Sequence, residues 1–272
     1  MTTRFGAYEL TTLVDGVFSA SSEILVHPRG EGLRAAAIAT LGPKIGIVVN
    51  CFALKGDDGF TLIDAGTGPS WGAAMGHAPE AMRKAGIAPD AVRRVLLTHI
   101  HGDHALGLFD GDAPFFPDAE IIVPEADLAF FGDMAKRETV PENKRGGFAI
   151  AASLMRLYEG RVRTVGEGEV LPGISLVPLP GHTPGHSGYL LADDAHPLLL
   201  WGDALHLAAL QSADPDLGLT YDVDGATAIA SRRAILEKAL EQGWLVAGAH
   251  VEGISRVERA GEGFKLVPAS LR

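Results

Sequence analysis

The segment Thr98-His99-Ile100-His101-Gly102-Asp103-His104 sets three histidines and an aspartate directly behind the apolar run Val95-Leu96-Leu97. A single histidine on an apolar face is most often a satisfied core residue. A cluster of this kind at the end of a strand is the pattern of a metal site. Other pieces of the chain repeat the arrangement: Pro180-Gly181-His182-Thr183-Pro184-Gly185-His186, then Trp201-Gly202-Asp203, then Ala247-Gly248-Ala249-His250. Each follows a stretch that reads as a strand, namely Ile174 to Leu179, Leu198 to Leu200 and Trp244 to Val246. Glycine-rich turns after strands let backbones approach and project the next polar side chain over the sheet edge, where neighbouring loops converge. Imidazole nitrogen and carboxylate oxygen suit zinc, and also manganese, cobalt or iron, whereas a thiolate site needs cysteines that this chain lacks.

The remaining composition narrows the class of protein. At 272 residues the chain suits a single α/β domain with a large core. No apolar run approaches the ~20 residues that span a bilayer. The start, Met1 to Glu9, lacks the apolar centre of a secretory signal, so a cytoplasmic location is expected. The net charge of −11, without a basic cluster, argues against nucleic acid as partner. Cys51 is the lone cysteine, which excludes an internal disulfide, and its apolar neighbours mark it as a buried structural thiol.

Residues 1–40 read as an N-terminal extension packed on the domain, with a short strand from Glu9 to Val14, capping the site or a dimer interface. From Ile45 the pattern clears. Strand Ile45 to Leu54, a turn at Lys55 to Gly59 and strand Phe60 to Ile63 form a hairpin. Trp71, Met75 and Met82 fall at helical spacing before Gly86, and strand Arg94 to Leu97 leads into the histidine cluster. Pro141 to Gly147 is polar and turn-rich, so a mobile loop is expected there. A last helix runs from Gly225 to Gln242, with Asp222 and Asp224 as cap candidates and Gly243 as its stop.

Taken in order, His-x-His-x-Asp-His, Pro-Gly-His-Thr-Pro-Gly-His, Gly-Asp and a late Gly-Ala-His resemble the metallo-β-lactamase superfamily, from about Ile45 to Ala269. The flanking sequences Trp201 to Pro215 and Leu245 to His250 resemble its methyl parathion hydrolase and N-acyl homoserine lactonase branch. The resemblance implies an αβ/βα four-layer sandwich and two divalent metal ions, with zinc first. It puts His99, His101 and His182 on one metal, Asp103, His104 and His250 on the other, and Asp203 between them. It also makes Asp64 the buried aspartate that supports a ligand histidine through a hydrogen bond. It further suggests a homodimer.

Two cations ~3.5–4 Å apart lower the pKa of a shared water and polarise the oxygen under attack. The expected activity is hydrolysis of a small apolar ester-like substrate, first a lactone of the N-acyl homoserine type, with Asp103 also placed to accept or pass a proton. A phosphotriesterase or aryl esterase is the alternative, and an iron-dependent oxidoreductase such as a sulfur dioxygenase is the rival of another class. Phe109 and Phe116 are candidates for the apolar substrate pocket. His27, His77, His186, His196 and His206 are read as surface or supporting residues rather than ligands.

Overall fold

The computed structural model describes residues 2–270. Two mixed sheets of seven strands each make up its centre. The first contains Tyr8–Ser21, Lys44–Gly56, Gly59–Ile63, Val92–Leu96 and Glu120–Pro124; the second contains Ile174–Pro178, Ser187–Leu191, Leu198–Leu200, Leu245–Gly248 and Val251–Ala260.

Alternation along the strands explains the layering, because successive side chains of a strand point to opposite faces. From the first sheet, Leu54, Ile63, Leu96 and Ile122 pack against Tyr189, Leu198, Leu200 and Ala247 of the second, so these two faces are pressed together. Their chain neighbours Leu62, Val95 and Ile121 face the other way, onto Met82, Phe131 and Leu154 from the helices Ala78–Lys84, Glu125–Phe131 and Gly146–Leu157. On the second sheet Leu199 and Val246 point outward onto Ile235, Leu236 and Ala239 of the helix Gly225–Gln242. Helix, sheet, sheet, helix is the αβ/βα order expected. Burying one such Leu or Ile side chain contributes about 1.5–3 kcal/mol.

The hairpin forms as expected, with Phe52 opposite Ile63 and Gly56 opposite Gly59. The last helix is capped by Asp224, whose side chain accepts the Thr227 N–H, and is stopped by Gly243 at φ 64°. Other elements differ. The spacing of Trp71, Met75 and Met82 predicts one helix, yet Trp71 ends a short 3₁₀ turn and the helix begins only at Ala78. Gly72 and Gly76 between them take positive φ, 80° and 78°, which breaks the helix. Pro141 to Gly147 is a 3₁₀ turn leading into a helix at Gly146. The strand expected to end at Val14 continues to Ser21 and pairs along its length with Lys44–Gly56, so this part of the first forty residues belongs to the sheet itself. Cys51 is buried in the core between the first sheet and its helices, and burial pushes its thiol well up. No helix among the described residues is long and apolar enough to cross a membrane.

The first sheet's parallel strands end together, and so does the parallel pair Leu198–Leu200 and Leu245–Gly248 of the second. Asp64, the Thr98 to His104 segment, Asp203 and His250 leave these carboxyl ends, where α/β folds place their ligands.

Candidate metal centre

The cluster is built from the backbone outward. Asp64 follows Ile63 at φ 60°, a strained left-handed conformation for a residue other than glycine, and its N–H donates to the Leu96 carbonyl. That conformation aims its carboxylate at the histidine segment. Oδ1 accepts the Thr98 N–H at 2.8 Å, and Oδ2 accepts both the Thr98 hydroxyl and His104 Nδ1–H at 2.8 Å. Since the Thr98 hydroxyl donates to Asp64, it receives His99 Nδ1–H, at 3.0 Å. With Nδ1 occupied as donor, Nε2 of both rings is the nitrogen turned to the cluster. Burial leaves it a lone-pair nitrogen on His99, while on His104 Asp203, Asp103 and Asp64 outweigh burial and favour a proton that a cation would displace.

The same logic fixes the other rings. His182 Nδ1 donates to Asp222 Oδ1 at 2.9 Å, and His250 Nδ1 donates to the Val48 carbonyl at 2.7 Å. His186 donates from Nδ1 to the Leu179 carbonyl and accepts the Asp203 N–H on Nε2, at 2.8 and 2.9 Å. A Cβ on Gly202, at φ 53°, would stand 2.7 Å from that same Nε2, so only glycine lets Asp203 approach its prop.

All these groups face Asp203. Its Oδ2 lies 3.7 Å from His99 Nε2, 3.1 Å from His182 Nε2 and 3.2 Å from His250 Nε2, while Oδ1 lies 3.1 Å from His104 Nε2. His101 Nδ1 is 2.9 Å from His182 Nε2, and Asp103 Oδ2 is 3.5 Å from His250 Nε2. Ligand atoms of His99, His101 and His182 converge as one group, those of Asp103, His104, Asp203 and His250 as a second, and those of His182, Asp203 and His206 as a third. His99 Nε2, His104 Nε2 and Asp203 Oδ1 are buried without any hydrogen-bond partner. Buried polar atoms cost free energy unless they are satisfied, and a shared cation satisfies lone pairs that cannot bond to one another. The donor set therefore fits divalent metal.

The charges support this. Burial works to raise the Asp203 carboxyl, but His104 and His250 facing it outweigh burial and hold it well below the usual range. Burial lowers His99 well below its ordinary value and takes His101 down to about 3, so both rings are neutral and available to a metal.

The structure thus gathers every ligand candidate read from the sequence, Asp64 included. It does not gather the two phenylalanines. Phe116 is 1% exposed in the core between the first sheet and its helices, edge-on to Phe115, and Phe109 packs against that same core; neither lines the cavity over the cluster. That cavity, of 560 Å³, has an apolar wall of Phe18, Ile47, Val49, Trp71, Leu106 and Ile150, and Phe18 and Trp71 meet at 5.4 Å between ring centroids. Among its lining residues Lys144 carries the one Lys or Arg charge, and its ammonium donates to the Asp222 carbonyl.

The role of Asp222 escaped the reading of the sequence, and His206, read there as a surface or supporting residue, stands among the groups that could hold a metal. Asp222, which looked like a helix cap, holds His182 instead. His206 lies inside the site, with Nε2 3.1 Å from Asp203 Oδ2 and its ring stacked on His250 at 4.6 Å. Its place three residues after Asp203 was the available signal. His27 pairs with Asp214, and His77 and His196 are exposed.

The family model for the metallo-beta-lactamase superfamily matches residues 45–250, a span that holds every cluster residue. The chain belongs to that superfamily. Membership and the histidine–aspartate cluster make it a metal-dependent hydrolase. Relatives by sequence include the uncharacterized protein YobT of Bacillus subtilis (strain 168), 32% identical over 163 residues, 58% of this chain and 63% of YobT. An N-acyl homoserine lactonase of a Bacillus species is 26% identical over 187 residues, 61% of this chain and 67% of its own. The chain thus spans about two-thirds of the length of these relatives. Among solved structures, the fold superposes on AidC, a dizinc quorum-quenching lactonase in complex with a product, with a TM-score of 0.88 at 22% identity, covering 100% of this chain and 98% of AidC. The hydrolase AbOPH gives the same TM-score and identity, with 97% of its chain covered.

Proposed function

We propose that the protein is a dinuclear hydrolase that opens a lactone of the N-acyl homoserine type. The observation that carries this reading is the cavity, in which the polar cluster floors a wall that is mainly apolar, with Asn143, Thr220 and Tyr221 as its uncharged polar side chains and one tethered cationic side chain, Lys144. A neutral ring ester with an apolar tail matches that division; a polyanion does not. His99, His101 and His182 would hold one cation and Asp103, His104 and His250 the other, with Asp203 reaching both. Zinc is the first candidate for these nitrogen and oxygen donors.

Two such cations supply, when bound, an acidified water and a polarised substrate oxygen. The chain's own residues do the rest. His186 and Gly202 hold Asp203 in place, while Asp64 and Asp222 fix the tautomers that turn His104 and His182 toward the cavity floor. Asp103 lines the cavity. Burial works to raise its carboxyl, but the facing His104 and His250 keep it below the usual range, so it is ionised. An ionised carboxylate there accepts the proton released on attack and returns it to the departing alkoxide. The apolar wall excludes water from the acyl end.

The test is chelator-sensitive proton release, followed with a pH indicator, when metal-loaded protein meets a long-chain N-acyl homoserine lactone. Silence with that lactone, beside turnover of an aryl ester or phosphotriester, would move the assignment to those substrates. Oxygen uptake with one metal per chain would move it to the dioxygenase class.

A further inference from the structure

We infer that Asp127, which stands outside the cluster, is the positioning residue that sets the distance between the two loops carrying the three-histidine group. Its carboxylate is 0% exposed and lies in the helix Glu125–Phe131. Oδ2 accepts the N–H of Ile100, the residue between His99 and His101, at 2.6 Å. Oδ1 accepts the N–H of Gly185, three residues beyond His182, at 2.9 Å. One rigid side chain thus receives a charge-assisted bond from each of two loops 85 positions apart in sequence, and such bonds are shorter and stronger than neutral ones.

The approach is built in by the sequence. A Cβ on Gly185 would stand 2.1 Å from the Asp127 nitrogen, so glycine is required for the second loop to reach the helix. The two loops meet each other nearby, where the Ser187 N–H donates to the Thr98 carbonyl at 3.0 Å, a backbone contact two residues from each of the N–H groups that Asp127 receives. At the turns themselves, His101 Nδ1 and His182 Nε2 come to 2.9 Å; His101 stands at the N-cap of Gly102–Ala105, and His182 is held by the Val223 N–H on its carbonyl and by Asp222 on Nδ1. Asp127 is the side chain that ties these two turns to one another.

The clamp spans one ligand group and not the other. His99 and His101 come from the first loop and His182 from the second, whereas Asp103, His104, Asp203 and His250 take no ligand atom from the second, which reaches that group only through His186 against the Asp203 N–H. Loosening Asp127 therefore weakens one of two metal equivalents. This inference rests on the proposed metal assignment, and the experiment separates their failures.

Zinc would be titrated into metal-free wild type, D127N and D127A against a chromophoric chelator, with circular dichroism to verify the fold. An asparagine keeps one acceptor and turns an N–H₂ toward the other backbone N–H; an alanine keeps neither. The expected result is a dissociation constant raised about 10-fold in D127N and up to about 100-fold in D127A for one equivalent, the other moving far less, as for outer partners of metal ligands. Wild type that binds no zinc refutes the metal reading itself. Wild type that binds, with both equivalents of folded D127N within twofold of it, overturns the clamp. Metal-free D127N that is unfolded assigns Asp127 to general stability and overturns it too; should D127A alone unfold, D127N decides.

Discussion

Replacing Trp71 and Phe116 by alanine in turn separates the substrate wall from the core. Trp71 is 38% exposed, lines the cavity and leans on Phe18. An acyl chain that lays two or three methylenes on this indole gains about 0.8 kcal/mol for each, so W71A should cost long-chain lactones about 2 kcal/mol. That corresponds to roughly 30-fold in kcat/KM, with little change for short-chain lactones. Phe116 behaves oppositely. Buried at 1% exposure, it should cost about 3–5 kcal/mol of stability when cut to alanine and leave a cavity behind. For a chain of this size that lowers Tm by roughly 10 °C. The assays are kcat/KM across an acyl series and thermal unfolding of both variants. Equal losses for short and long chains in W71A would refute the wall. So would a changed chain-length profile in a stable F116A.

Three further outcomes are expected. D203A removes the carboxylate toward which His99, His104, His182 and His250 all point, and should abolish turnover while elemental analysis shows metal content falling; full turnover would exclude a shared role. D222A takes away the partner of His182 Nδ1 and should raise the zinc dissociation constant about 10–100-fold in chelator competition, with D222N milder because its amide oxygen still accepts that proton. The third concerns pH. Burial works against charge on His182, yet Asp203 and Asp222 outweigh it and carry the ring up to about 9 in the metal-free protein. Raised above its ordinary 6.5, it contributes stability that is full below pH 6.5 and lost as pH rises through 9. Metal must displace that proton, so zinc affinity should climb between these limits, by at most about tenfold per pH unit. Calorimetry in buffers of different ionisation enthalpy would detect the released proton, and a flat profile would contradict the shift.

The centre was legible because its signals are local. Ligand residue types stand one or two positions beyond apolar strands, and a histidine pair such as His99 and His101 needs no tertiary information to be noticed. The hairpin and the last helix were legible for the same reason, through Gly56 to Gly59 and through Asp224 with Gly243. What escaped depends on distant pairing. Asp222 has the residue type and position of a cap, and only the fold shows that its carboxylate faces a histidine 40 positions earlier. The strand Tyr8–Ser21 hid its length because its register shifts between Val14 and Gly16, and because Asp15 interrupts the apolar pattern. That buried carboxylate is spent on the N–H groups of Thr67 and Ala78, which fasten the loop bearing Trp71. Phe116 misled because aromatic residues following a metal motif in sequence turn inward as readily as toward a ligand.

The cavity wall has a consequence for how such a protein changes. Its floor comes from strand ends within residues 45–250, the span common to the superfamily, but Phe18 reaches it from a strand that precedes that span. Trp71 arrives on a loop held by the same strand through Asp15. Of the apolar wall, Phe18 is the residue carried on a stretch of chain outside the one that bears the metal-facing histidines and aspartates. Substitution of Phe18 in the opening strand would reshape the cavity wall while every histidine stayed where it is.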